Sequence, residues 1–339
     1  MARNKNITQP EHDSKATELL KSSGSMNREV AVAALAEMAQ ALTTPLRQGV
    51  LSGDILDGIF EVVRLNENAT SEFPLDFLAP GTEKEHVAFT IPKHGYIPER
   101  HVEGDYVMVP TYPVGNAIDW NLRYARDARW DVVGRATEVL RAGFTKKMND
   151  DCWQTLITAA FDRNIVVFDS AALQGQFTKR IISLMKTVMR RNGDGNSTSN
   201  NRGKLTDLYV SPEAVEDIRN WNVDQIDETT RREIFTAPGD AALTRIFGVN
   251  IKDIDELGEG QEYNNYYLNT LGGAVAASDV EIVVGLDLSK NDSFVMPFRQ
   301  DIEVYPDDVM HRQQRAGFYS WAEYGCAVLD NRRVLLGSL

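Results

Sequence analysis

The chain has 339 residues, 42% hydrophobic and 9% aromatic, enough for a sizeable core in one large or two ordinary domains. With 36 Lys and Arg against 49 Asp and Glu, its formal charge of −13 disfavours general attraction to phosphate backbones or anionic lipid. No apolar run nears the roughly 20 residues that span a bilayer, and the polar start lacks a signal peptide's apolar core, so a soluble product made inside the cell is expected.

Residues 1–24 are polar without a periodic apolar face and read as a mobile arm. Ser25 or Asn27 can cap a helix, because Glu29 follows and Val30, Ala33, Ala34, Met38 and Ala41 keep helical spacing up to Pro45. The short pieces that follow, to about residue 80, contain no self-contained core. Residues 87–91 (VAFTI) and 106–109 (YVMV) then alternate as strands do, around a polar, turn-rich segment. Together they predict a long β-ribbon with one apolar row of Val87, Phe89, Ile91, Val107 and Val109. A lone two-stranded ribbon is marginal in water, so this row, with Lys93 and Arg100 beside it, is a candidate contact with a neighbouring subunit.

Residues 127–161 predict one long helix, about 50 Å at 1.5 Å per residue. Val133, Ala136, Leu140, Phe144, Met148, Cys152, Leu156 and Ala160 recur every three or four positions, and Val132, Val139, Trp153, Ile157 and Phe161 form an adjacent row. Steps of four overshoot a turn by about 40°, so the stripe winds and different elements must cover it along its length. Beyond it the pattern predicts a strand at 165–168, a helix at 177–191 and a strand at 208–211 running into a helix whose first turn holds Pro212. Strands are expected at 249–254, 266–269, 281–288, 293–298 and 302–305, then an aromatic strand from Gly317 and a last one at 334–336. Helices interleave with antiparallel strands without regular βαβ units, which predicts an α+β fold.

Candidate chemistry is sparse. In the polar loop 192–204, Leu205 stands where a calcium loop needs Glu and where a phosphate loop needs Ser or Thr. His12, His86, His94, His101 and His311 form no ligand pair. Asp169-Ser170 lacks the glycines of a nucleophile elbow, and Asp150-Asp151 and Asp307-Asp308 have no third ligand in reach of the sequence. Cys152 and Cys326 fit no ligand spacing and read as free thiols. No catalytic residue, cofactor or metal is expected.

The order of parts carries more: polar arm, long ribbon, long helix, mixed lobe, aromatic closing strand. With IDWNLRYARDARWDVVGRATEVLRAGFTKKMNDDCWQTLITAA from Ile118, LYVSPEAVEDI from Leu208 and AGFYSWAEYGCAVLDNRRV from Ala316, this layout resembles the major capsid proteins of tailed double-stranded DNA bacteriophages, the Hong Kong 97-type fold. The resemblance implies an N-terminal arm (1–80), an extended loop (81–122), a peripheral domain with the spine helix (123–164), an axial domain (165–310), and C-terminal strands (311–339) returning to the peripheral domain. It also implies a structural protein rather than an enzyme, forming hexamers and pentamers of an icosahedral virion shell around DNA that it does not read. Scaffolding on a separate protein, a portal and a possible decoration protein are the implied partners, with no membrane; the capsid, by way of the host cytoplasm, is the implied location. A cellular cargo shell of the encapsulin type is the alternative of the same fold, and an α+β hydrolase the alternative of another class. A Lys-Asn crosslink of the kind some members form is not expected at Lys93, since neither an Asn partner nor an activating Glu is legible.

Overall fold

The computed structural model describes residues 13–51, 58–66, 69–74, 106–127, 130–173, 175–192, 203–221, 245–275, 279–289, 292–307 and 309–339. The chain divides into two compact units, one of residues 1–71, 110–150 and 296–325, the other of residues 72–109, 151–295 and 326–339.

The first unit holds two N-terminal helices, α1 (Asp13–Ser23) and α2 (Arg28–Leu51). Helix α1 corrects the expected polar arm: Leu20 is fully buried, Ser23 is buried with its hydroxyl donating to the Leu20 carbonyl, and α1 packs on α2. One apolar residue per turn suffices for a helix that finds its cover in tertiary structure. Asn27 does cap α2, accepting from the Glu29 N–H at 3.1 Å, but the helix continues through Pro45 to Leu51.

Strands β1 (Glu61–Arg64), β4 (Tyr112–Asn121), β9 (Phe294–Pro306) and β10 (Arg315–Tyr324) order as β1-β9-β10-β4, and the two-residue β11 (Ala327–Val328) pairs with the start of β9. The antiparallel β10–β4 register runs from Arg315↔Asn121 to Tyr324↔Tyr112. On its inner face Trp120 meets Phe318 edge-on, with ring centroids 5.2 Å apart. The short helix α3 (Leu122–Arg126) leaves β4 directly, capped by Asn121, and α4 (Trp130–Phe161) follows. The expected single helix thus starts at Trp130, and its stripe is buried at Leu140, Phe144, Met148, Cys152, Leu156 and Ala160, while Val139 is 57% exposed. Gly143 lets α4 approach β4: a Cβ there would stand 2.6 Å from Asn116 Nδ2.

The second unit is built on the sheet β5-β12-β8-β6-β7, with β5 (Val166–Val167), β6 (Asp207–Val210), β7 (Asn250–Asp253), β8 (Ile282–Leu286) and β12 (Val334–Ser338). Helices α5 (Lys179–Asn192) and α6 (Pro212–Asn220) cover one face, joining Ile181, Met185, Val215 and Ile218 to Leu208, Val210, Val283 and Leu335 in one core. Phe177 stacks on Trp221, whose indole donates to the Phe177 carbonyl at 3.0 Å. On the opposite face Trp153 of α4 sits between Tyr209 and Tyr263, at 5.0 and 5.8 Å.

Two further expectations are corrected in this unit. Residues 266–269, read as a strand, form a π-helical turn, Tyr266–Thr270, because Tyr263 and Tyr267 bury on one side of a helix and Tyr267 donates its hydroxyl to the Ala274 carbonyl. The last strand, expected with the spine helix, instead pairs antiparallel with β8 and parallel with β5, as residues 334–338 are wholly apolar or small and fit a sheet covered on both faces.

Candidate assembly surfaces

Among the described residues no group of His, Cys, Asp and Glu has the geometry of a metal site. Asp169 accepts from Thr178 Oγ1 at 2.8 Å and pairs with Arg180 at 3.2 Å, both of them links that hold the start of α5. His311 meets the Ser25 carbonyl at 3.2 Å, and Asp307 accepts from the Val309 N–H. Cys152 and Cys326 are free, and the fold brings their sulfurs to 3.4 Å, a proximity no sequence spacing announces. The hydrogen bond with Cys326, then burial, hold the Cys152 thiol well above its usual range.

One buried acid is perturbed. Glu281 accepts from Ser211 Oγ at 3.0 Å, and that hydroxyl also caps α6 by accepting from the Ala214 N–H. Burial pushes the carboxyl up to about 7; the Ser211 bond opposes this, and the charges of Glu213, Asp217 and Glu259 add to it. Its hydroxyl partner Ser211 is itself held by the α6 cap, so the pair joins β8 to the start of that helix.

The feature that asks for an occupant is the outer face of the first unit's sheet. Alternation along β10 sends Phe318, Ser320, Ala322 and Tyr324 inward and Tyr319 and Trp321 outward, these two remaining 42% and 45% exposed. Tyr305 of β9 stacks on Tyr319 at 5.4 Å and meets Trp321 at 6.5 Å, and its hydroxyl donates to Glu303. Opposite Tyr319 and Trp321 in register stand Ala117 and Gly115 of β4, which leave the rings standing clear. Ion pairs flank them: Arg315 with Asp119 at 3.3 Å, Arg299 with Glu323 at 3.5 Å. Tyr and Trp framed by Arg are the side chains enriched where proteins bind one another. Sequence reasoning marked this stretch as aromatic but not as an interface; the alternation was the available signal.

Of the ribbon candidates, Val87, Phe89, Ile91, Lys93 and Arg100 lie outside the described residues. Val107 lies in β3 (Tyr106–Met108), which pairs with β2 (Glu72–Pro74) as Val107↔Phe73 and is 36% exposed. Val109 departs from expectation: only 1% exposed, it is covered within its own chain.

No protein-family model and no curated protein matches this sequence. Solved structures do match. The chain aligns with a Cyanophage Pam1 capsid subunit at TM-score 0.54 and 15% identity, over 83% of this chain and 88% of that one. A structure from Microbacterium phage Oxtober96 aligns at TM-score 0.55 and 11% identity, over 83% and 90%. The capsid of a native GTA particle aligns at TM-score 0.51 and 12% identity, over 83% and 88%. The chain therefore has the Hong Kong 97-type capsid fold that its layout resembles. At such identities the likeness is one of fold.

Proposed function

We propose that this chain is the major capsid protein of a tailed phage, self-assembling as hexamers and pentamers into an icosahedral head around double-stranded DNA. The observation that carries this reading is the fold shared over more than four fifths of both chains with the Pam1 capsid subunit. The exposed Tyr319 and Trp321, with half-buried Tyr305 stacked beside them, support it, since a shell subunit needs outward faces that another copy covers. In this reading the ribbon residues Val87, Phe89, Ile91, Lys93, Arg100 and Val107 reach the neighbouring subunit, and scaffolding and portal proteins assist assembly. The net charge of −13 limits adhesion of packaged DNA to the wall.

The test is sizing chromatography and negative-stain imaging of the parent beside a variant in which residues 93–103 are replaced by Asn-Gly, a pair suited to a tight hairpin. Closed particles of the parent, and folded but unassembled subunits of the variant, are the expected outcome. A parent that forms no particle, even with its scaffolding protein, overturns the assignment.

A further inference from the structure

The second unit carries opposite charges at the two ends of one strand pair. Strands β6 and β7 run parallel in register, Asp207↔Asn250 through Val210↔Asp253, so their starts share one end and their exits the other, about 10 Å apart at 3.3 Å per residue. At the starts, Gly203 to Thr206 and Arg245 to Gly248 face the exposed side of α5 across a groove of about 1240 Å³. Its lining includes Lys186, Arg190, Arg191, Lys204 and Arg245 and, among the described residues, no carboxylate. Arg180 at one end is paired with Asp169, Lys186 donates to the Phe247 carbonyl at 2.6 Å, and buried Asp287 takes the backbone N–H of Lys204. Arg190, Arg191 and Arg245 pair with no carboxylate among the described residues. Phe247, 57% exposed at φ 51°, stands at the lip. The row of basic side chains along the groove suits a large anionic surface.

The exits are the converse. Residues 253–262, DIDELGEGQE, follow β7 with exposed Asp253, Asp255, Glu259 and Glu262, and the start of α6, after β6, adds exposed Glu213 and Glu216. No Lys or Arg lies in residues 253–262 or 212–216. The crowding is felt inside the unit, where Glu213, Asp217 and Glu259 all raise the Glu281 carboxyl.

We propose that the basic groove of one subunit receives the acidic exit loop, residues 253–262, of a second copy of this chain, so that identical contacts repeat head to tail around a ring. The two faces lie at opposite ends of the same strands and do not satisfy each other within a chain. Between copies they form a heterologous contact, the kind that closes into rings when its rotation permits. Duplex DNA is the weaker candidate because a chain of net charge −13 repels it at long range, while the acidic loop is present at one per groove in any assembly. The proposal rests on the shell reading above and adds the residues that hold neighbours together.

Charge reversal tests it. Arg190→Glu with Lys204→Glu reverses the groove, and Asp255→Lys with Glu259→Lys reverses the loop; all four positions are exposed, so circular dichroism and melting should match the parent. Each pair alone should raise the protein concentration needed for assembly about tenfold or more, most strongly at low salt. The four-substitution chain, with both faces exchanged, should return to within about threefold of the parent. Assembly of either pair at the parent's concentration, or no recovery in the four-substitution chain, overturns the contact while leaving the shell reading intact. A groove-reversed variant that assembles normally but no longer retains a labelled 20-base-pair duplex assigns the groove to nucleic acid and also overturns it. A parent that forms neither rings nor shells overturns both readings.

Discussion

The two sheets of this protein are built on different burial patterns. Every residue of β6, β8 and β12 is buried, with α5 and α6 on one side and Trp153, Tyr263 and Tyr267 on the other. Strand β10 alternates instead, burying Phe318, Ser320, Ala322 and Tyr324 while Tyr319 and Trp321 face outward. A sheet covered on both faces spends its side chains on its own core, and glycines are accepted where a helix presses close: a Cβ on Gly285 or Gly337 would stand 3.0 Å from an atom of Met185 in α5. A sheet covered on one face has side chains to offer another molecule. Substitutions in the second unit's sheet should therefore register as stability, and substitutions on the outer face of the first unit's sheet as assembly.

The largest effect is expected on the helix stripe. Leu156, fully buried, changed to Asp places an unpaired charge in the core, costing about 4 kcal/mol or more and leaving the protein insoluble. Trp153→Ala should follow at about 3–5 kcal/mol, measured by denaturant midpoint, since it opens a cavity between two tyrosines. Trp153→Phe should cost much less, because the buried indole N–H has no acceptor among the described residues and its loss leaves nothing unpaired. Soluble, cooperatively folding Leu156→Asp protein would contradict a packed helix.

Next comes Glu281. Its folded pKa of about 7 exceeds the ordinary value of 4.5, so the folded state binds a proton more tightly than the unfolded chain. Its favourable contribution is full below about pH 4.5 and is lost as pH rises through 7. Glu281→Gln, which keeps an oxygen for Ser211, should flatten stability between pH 5 and 8 and raise it by about 1–2 kcal/mol at pH 8. An unchanged pH profile in the Gln variant would mean that the carboxyl is ionised without penalty.

The smallest effect on stability belongs to the outer face. Tyr319→Ser with Trp321→Ser should move the unfolding midpoint of the isolated subunit by about 1 kcal/mol or less, while particle yield falls steeply. If particles form at parental yield, the aromatic face is not a subunit contact, and the comparison between the two sheets loses its functional meaning.

Much of this was legible in single segments. The stripe from Leu140 to Ala160, the Asn27 cap, the strand–Ser211–Pro212–helix step and the aromatic strand from Gly317 all follow from local rules of period and capping, and the structure places them where those rules put them. The misreadings share a cause. Helix α1 has too thin an apolar face to be recognised alone, and Pro45 does not end α2. The Tyr266–Thr270 turn resembled a strand because Tyr and Leu suit both states in a short run. Each was decided by what packs against it, and a local window does not contain its own cover.

The sequence by itself determined the α+β class and the long helix, because these depend on spacing along single elements. Only the tertiary structure decided which sheet receives the last strand, that Cys152 meets Cys326, that Val109 is buried, and that the cations of α5 gather with Lys204 and Arg245 at one end of β6 and β7 while the carboxylates gather at the other. Those facts depend on pairings between positions tens to hundreds of residues apart. Their free energies arise from burial and charge shared between elements, which no segment holds alone.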